Sequence, residues 1–213
     1  MIPTRGDCLQ LMLRYGMLEN IVDHSLEVAR VALFLSAELN RRGQKIDMPL
    51  VEASALLHDL TKTECLRTKE DHALTGSRLL KEIGYERIAN IVAEHIHLSK
   101  ETDPSWISEE EVVNYADKRV QHDQIVSLEE RFEDLKKRYG KSERALQLLE
   151  GLRKATFDIE RKIFSILEID PGHLQSYVLD ADRGCRSESQ EKNLSPQSKM
   201  EGENSVFYPR EEE

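Results

Sequence analysis

Apolar residues recur along this chain at helical spacing almost from end to end. Val28, Val31, Leu35 and Leu39 form one i, i+3, i+7, i+11 stripe. Ile88, Ile91, Val92 and His95 form an i, i+3, i+4, i+7 stripe, the signature of one helix face turned to a core. Alternating β-branched runs are nearly absent. The pattern predicts a helix over 4–15, opened by Thr4 and Asp7 and stopped by Gly16, and a long one over 21–42, ended by Gly43. Pro49 suits a first helical turn, and LVEASALL behind it is apolar nearly all round. That helix is predicted to be central and to end at His58 and Asp59. The stretch TKTECLRTKED reads as a connection, and helices follow over 72–83, from Ile88 to His95, and over 108–122. LSKETDPSW reads as a loop. Ser127 with Glu130 opens a helix to Tyr139, and a last long helix covers 142–168 before Asp170-Pro171-Gly172. The expected fold is all-α, a helical bundle.

Composition changes after Gly172. Ser, Glu, Gln, Asn and Lys dominate, and such a segment buries too little apolar surface to order itself. The chain therefore divides into a helical domain over 1–172 and a polar, disordered tail over 173–213. Phe207-Tyr208-Pro209 is a weak docking candidate within an otherwise inert tail.

Charge and cysteine content narrow the function. The net charge of −10 argues against an extended nucleic-acid surface. It does not exclude a small phosphate-bearing ligand, because a metal supplies a positive field locally. Cys8, Cys65 and Cys185 are odd in number and widely spaced, which fits a reduced, cytoplasmic protein rather than a disulfide framework. The N-terminal MIPTRGD has no basic-then-apolar signal stretch, and no run of about 18 apolar residues exists to span a membrane.

The candidate chemistry lies in His24, His58, Asp59, His72, His95 and Asp117, each on or beside an apolar face or at a helix end. Taken singly, each histidine reads more readily as a hydrogen-bonded core residue than as a ligand, and Asp117 reads as an interhelical ion-pair partner. Jointly they place one ligand set per successive helix, with steps of 34, 14, 23 and 22 residues from 24 to 117. Buried polar groups need partners, and a metal between facing helices is one way a bundle satisfies them. Mixed imidazole and carboxylate suits divalent Mn, Fe, Co, Ni, Zn or Mg. Six ligands exceed the need of one tetrahedral ion. Two ions about 3.5–4 Å apart, bridged by Asp59, would fit the set.

These residues, in VDHSLEVARVA, ASALLHDLTK, HALTGSRLLKEIG, IVAEHI and NYADKRV, resemble the HD superfamily of metal-dependent phosphohydrolases over about residues 17–122. The resemblance implies an HD-type helical fold and hydrolysis of a phosphate ester or anhydride by metal-activated water. His24, His58, Asp59 and Asp117 match that family's core ligands. His72 and His95 match the added pair of its two-metal members, which include dinucleoside-tetraphosphate hydrolases. A nucleotide or dinucleotide polyphosphate is the substrate class implied. Leu60-Thr61 departs from the Ile-Gly of one subgroup, and no Gly-Tyr-Pro follows His95, so cyclic-dinucleotide hydrolysis is not favoured. Asp59, Lys62 and Arg119 are the catalytic candidates, the two cations for phosphate contact. Lys118 is a further cation candidate, and Thr61 and Glu94 are candidate orienting groups. His97 is an alternative ligand and Trp106 a lid or a loop anchor. Arg78 is expected to face elsewhere, and His122 and His173 the surface. The run EERFEDLKKRYGKSER reads as a solvated helix face. A di-iron oxygenase and a non-catalytic nucleotide-binding or regulatory domain are the rival readings. A homo-oligomer is left open.

Overall fold

A computed structural model describes residues 1–99 and 103–191. Among the described residues the chain forms ten helices, α1 (Arg5–Arg14), α2 (Glu19–Arg41), α3 (Met48–Leu57), α4 (Lys62–Thr68), α5 (His72–Glu82), α6 (Glu86–Glu94), α7 (Glu109–Lys118), α8 (Leu128–Tyr139), α9 (Glu143–Leu167) and α10 (Leu174–Glu191). A two-stranded hairpin, β1 (Val120–Gln121) and β2 (Gln124–Ile125), lies between α7 and α8. The all-α expectation holds, the hairpin aside.

Local chemistry sets the helix ends. Thr4 and Asp7 close a capping box on α1, and Ser108 with Glu111 and Ser127 with Glu130 do the same for α7 and α8, each satisfying amides that the first turn leaves free. Asp47 caps α3, with Pro49 in its first turn. Gly43 ends α2 at φ +89°, a left-handed conformation natural to glycine.

The core forms where α2 and α3 pack together. Val28, Val31, Ala32, Leu35 and Leu39 of α2 are buried, as are Val51, Ala53, Ala55, Leu56 and Leu57 of α3. The α5–α6 hairpin packs on α3, and α7 crosses α2, α3 and α6. Glu111 of α7 is fully buried and pairs with Lys162 of α9 at 2.7 Å, which ties the long helix to the bundle. This arrangement brings the C-terminal ends of α3, α6 and α7 near the first turns of α2 and α5.

Three expectations need correction. TKTECLRTKED is more than a connection: Lys62–Thr68 folds as α4, closed by Lys69 at φ +66°. Seven residues with one buried side chain, Cys65, give too short a period to announce a helix. The helix expected through 122 stops at Lys118, because the Val126 amide bonds to the Arg119 carbonyl at 2.9 Å and starts the hairpin. His122 makes its turn at φ +57°, without the glycine that would have marked it.

The order also extends past Gly172. Leu174 and Val178 of α10 are buried, α10 packs on α2, and Arg30 lies 3.5 Å from Asp182. An i, i+4 pair on an otherwise polar segment is a narrow stripe, enough to dock a helix but weak as a sequence signal. The rest of the expected tail, with Phe207-Tyr208-Pro209, and part of the LSKETDPSW loop lie outside the described residues.

Because Leu174 is fully enclosed, Leu174→Ala is expected to lower stability by about 2–5 kcal/mol. Urea unfolding of the full chain measures it, and a midpoint equal to wild type would place α10 outside the cooperative core.

Candidate metal centre

Helix ends build the site. His58 and His95 occupy the positions that terminate α3 and α6. Each ring turns back on its own helix: His58 Nδ1 meets the Ala55 carbonyl at 2.7 Å and His95 Nδ1 meets the Val92 carbonyl at 2.6 Å. A carbonyl only accepts, so both Nδ1 atoms carry hydrogen and both Nε2 atoms face the centre. His24 repeats the device with a distant carbonyl, that of His122 in the hairpin turn, at 2.8 Å. Three imidazoles are thus oriented by backbone oxygens, as metal-binding histidines generally are. His72, capped into place by Asp71, starts α5, and its carbonyl accepts from the Thr61 hydroxyl at 2.9 Å.

Asp59 sits between two sets of these rings and is fully buried. Its Oδ2 lies 3.3 Å from His58 Nε2 and 4.0 Å from His24 Nε2. Its Oδ1 lies 3.2 Å from His72 Nε2 and 3.8 Å from His95 Nε2. Asp117 closes the first set, 3.1 Å from His24 Nε2 and 3.6 Å from His58 Nε2. Two groups that could hold a metal ion result, His24–His58–Asp59 and Asp59–His72–His95, and Asp59 belongs to both. All six sequence candidates converge.

The donor set fits a metal. His58 Nε2 and Asp59 Oδ1 are sealed from solvent and make no hydrogen bond among the described residues. A buried acceptor without a partner is costly, and a cation satisfies both atoms. Electrostatics agree. Burial would raise the Asp59 carboxyl, but His58 and Lys62 reverse this and hold it well below the usual carboxylate range. Burial opposes ionisation of Asp117 too, and Lys118 and His24 keep it well below that range. Burial, then the charge of His58, pushes His95 down to about 3, so its ring is neutral and free to ligate. Burial works against charge on His58 as well, yet Asp59 and Asp117 draw it upward. Their joint field attracts positive charge to His58 Nε2, whether proton or metal ion.

Two lysines steady the carboxylates. Lys62 Nζ meets Asp59 Oδ2 and Lys118 Nζ meets Asp117 Oδ2, both at 2.6 Å. Lys118 also donates to the His95 carbonyl at 3.0 Å. Asn114 donates to the same carbonyl and to that of Glu94, both at 3.1 Å. Sequence reasoning missed Asn114, although it precedes Asp117 by three residues and so shares its helix face.

Arg119 is a correction. Its guanidinium turns away from the centre, to the Val126 carbonyl at 2.7 Å, the Pro171 carbonyl at 3.0 Å, Glu160 at 3.1 Å and the Tyr115 hydroxyl. It clamps the hairpin and α9 and has no route to a phosphate. His97 is exposed and outside the cluster, Arg78 is exposed beside Thr75, and Glu94 caps Ser99 instead of orienting a ligand. His122 and His173 present exposed side chains, as expected. Trp106 is half exposed on a loop tied down by Gln44, which bonds to Ser105 and Ile107.

A cleft of about 350 Å³ opens on the centre. His72, His95, Asp117 and Lys118 form its floor, with Lys62 and Arg131 beside them. Leu135, Tyr139, Leu149 and Leu152 of α8 and α9 form an apolar wall.

The fold and the site define a helical domain with a His/Asp centre able to bind metal ions. The HD domain family model matches residues 21–150, more than half of the chain, and the chain belongs to that family, whose members are generally metal-dependent hydrolases. An uncharacterized protein of Methanocaldococcus jannaschii is 29% identical over 139 residues, 58% of this chain and 80% of that protein. A tRNA (cytidine(56)-2'-O)-methyltransferase of Thermoplasma volcanium is 32% identical over 96 residues, 45% of this chain but only 26% of that protein. Ribonuclease Y of Protochlamydia amoebophila is 33% identical over 89 residues, 41% of this chain and 16% of that protein. The chain thus matches a minor part of the last two. No solved structure matches it significantly. Among the described residues, no helix is long and apolar enough to cross a membrane.

Removing one partner of a buried charged network leaves the others uncompensated. Arg119→Ala is therefore expected to destabilise the fold by about 3–5 kcal/mol. Chemical denaturation reads this directly, and a loss under about 1 kcal/mol would mean the clamp is replaceable by water.

Proposed function

We propose that this chain is a phosphohydrolase dependent on one or two divalent ions, acting on a small nucleotide or dinucleotide polyphosphate. The observation that carries the reading is Asp59, a fully buried carboxylate whose two oxygens face two separate pairs of histidines. His24, His58, Asp59 and Asp117 would hold one ion, and Asp59, His72 and His95 a second. Mn, Fe, Co, Ni, Zn and Mg all remain compatible with these donors. Bound ions supply a water of lowered pKa and a clamp on phosphate oxygens.

The chain's own residues do the rest. The backbone carbonyls behind His24, His58 and His95 keep each Nε2 lone pair aimed inward. Lys62 is partly exposed at the cleft, where its charge offsets that of an incoming phosphate while it holds Asp59. Burial disfavours the charge on Lys62, and Asp59 more than offsets this, so the ammonium is held above its usual range and stays a cation. Arg119 has no part in the chemistry. The apolar wall of Leu135, Tyr139, Leu149 and Leu152 supports a substrate with an organic group such as a base. Ribonuclease Y, by its name, acts on RNA. The net charge of −10 and the small cleft favour a small phosphate compound here.

With Mn²⁺ supplied, the purified chain is expected to release phosphate or nucleotide from a member of a nucleotide panel. His58→Ala and Asp59→Ala should each lower turnover by about a thousandfold or more, with helicity by circular dichroism preserved. Full activity in both variants would end the proposal. Tight nucleotide binding without turnover by wild type would favour the non-catalytic alternative.

Elemental analysis tests the shared carboxylate. About two ions per chain are expected in wild type, about one in His72→Ala and fewer than one in Asp59→Ala. Equal metal content in all three proteins would remove the bridging role of Asp59.

A further inference from the structure

We infer that Arg131, on α8, is the residue that grips a phosphate of the substrate from the wall of the cleft. The inference rests on the proposed phosphate chemistry and adds a specificity residue to it. Arg131 lies in the run whose charges suggest a solvated helix face, yet its side chain is only 11% exposed and lines the cleft with Lys62, His72, Asp117 and Lys118.

Three described cations meet at this cleft, and two are already engaged. Lys62 is bound to Asp59 and Lys118 to Asp117, each at 2.6 Å. Arg131 is held more loosely, by a longer ion pair alone. Its Nε is sealed from solvent and makes no hydrogen bond among the described residues. Its nearest carboxylate, Asp134, lies 3.6 Å from Nη1, too far for a hydrogen bond. Asp134 accepts from Arg138 Nε through Oδ1 at 2.9 Å, while its Oδ2, the oxygen that faces Arg131, is buried without a hydrogen bond among the described residues. A buried guanidinium edge without an acceptor is a costly arrangement. It becomes favourable when an anion with several oxygens arrives, because the guanidinium fork matches phosphate. Arg131 also works against the charge of Lys62. Glu70 and Asp117 also line the cleft and both lysines are paired with carboxylates, so Arg131 is the cation best able to turn to an incoming anion.

Tyr139 and Leu135 follow Arg131 by eight and four residues on α8 and also line the cleft. One helix therefore offers a phosphate contact near the metal centre and an apolar surface farther along. That order suits a phosphate joined to a flat organic group.

Inorganic pyrophosphate is the probe, titrated calorimetrically into the Mn²⁺-loaded full chain. Arg131→Gln is expected to weaken binding by at least about tenfold, and Arg131→Lys to recover part of that loss. Metal content should match wild type in both. Binding by Arg131→Gln within about twofold of wild type would overturn the inference, as would failure of wild type to bind pyrophosphate. Should Arg131→Gln not fold, Asp134→Asn decides. Removing that competing carboxylate should tighten pyrophosphate binding by about threefold, and no change would count against Arg131. Turnover is scored separately. A chain that binds pyrophosphate through Arg131 but hydrolyses no nucleotide keeps this inference and loses the proposed activity.

Discussion

A carboxylate with no solvent contact, placed among four imidazoles, is the constraint from which the rest follows. Desolvating Asp59 is unfavourable by several kcal/mol unless charge and hydrogen bonds compensate. Lys62 supplies one compensation, at 2.6 Å to Oδ2. Oδ1 has no hydrogen bond among the described residues and faces His72 and His95. A fold that served stability alone would place an apolar residue here, since a well-packed hydrophobic group is the safer occupant of a buried site. The arrangement makes physical sense as one prepared for a cation.

Helix termini are the means of that preparation. A ring in mid-helix points sideways, and its own backbone is already paired. At the end of a helix, carbonyls are left without their i+4 amide partners, and His58 and His95 use the Ala55 and Val92 carbonyls to fix their rings, the latter carbonyl also meeting the His95 amide at 3.4 Å. The same shortage explains α7. The carbonyls of Glu94 and His95, left free where α6 stops, accept from Asn114 and Lys118. Asp117 is thus positioned by the helix that closes α6, and Lys118 joins that closure to its neutralisation. Ligand placement and helix capping are one set of hydrogen bonds.

Much of this was legible from residue order. The helical period revealed the bundle, and six titratable residues on successive apolar faces revealed the site. What stayed hidden has physical causes. Lys118 and Arg119 are neighbours in sequence, and one step of about 100° around the helix sends the first to the metal centre and the second to Glu160. Composition ranks them equally, and only the end of α7 at Lys118 separates them. Arg131 was obscured differently. In a run of eleven charged residues among sixteen, EERFEDLKKRYGKSER, alternating signs suggest mutual pairing along a solvated face. The packing of α8 on α9 beside the cleft turns one of those charges inward. Leu174 and Val178 were missed because two apolar residues in a polar segment fall below the stripe a free-standing helix needs.

Acidity at the scale of the chain and a cluster of cations at the cleft are compatible because screening separates them. Over about 8–10 Å of physiological salt, the surface carboxylates lose most of their influence. Inside the cleft, where water is partly excluded, Lys62, Lys118 and Arg131 act at short range. An extended polyanion would have to lie across the acidic exterior to reach the centre. Under the proposed reading, that acidity favours a compact phosphate compound over an extended polyanion. The wall formed by Leu135, Tyr139, Leu149 and Leu152 then offers, on the same reading, an apolar surface for the organic group of a nucleotide, beyond what phosphate contacts alone supply.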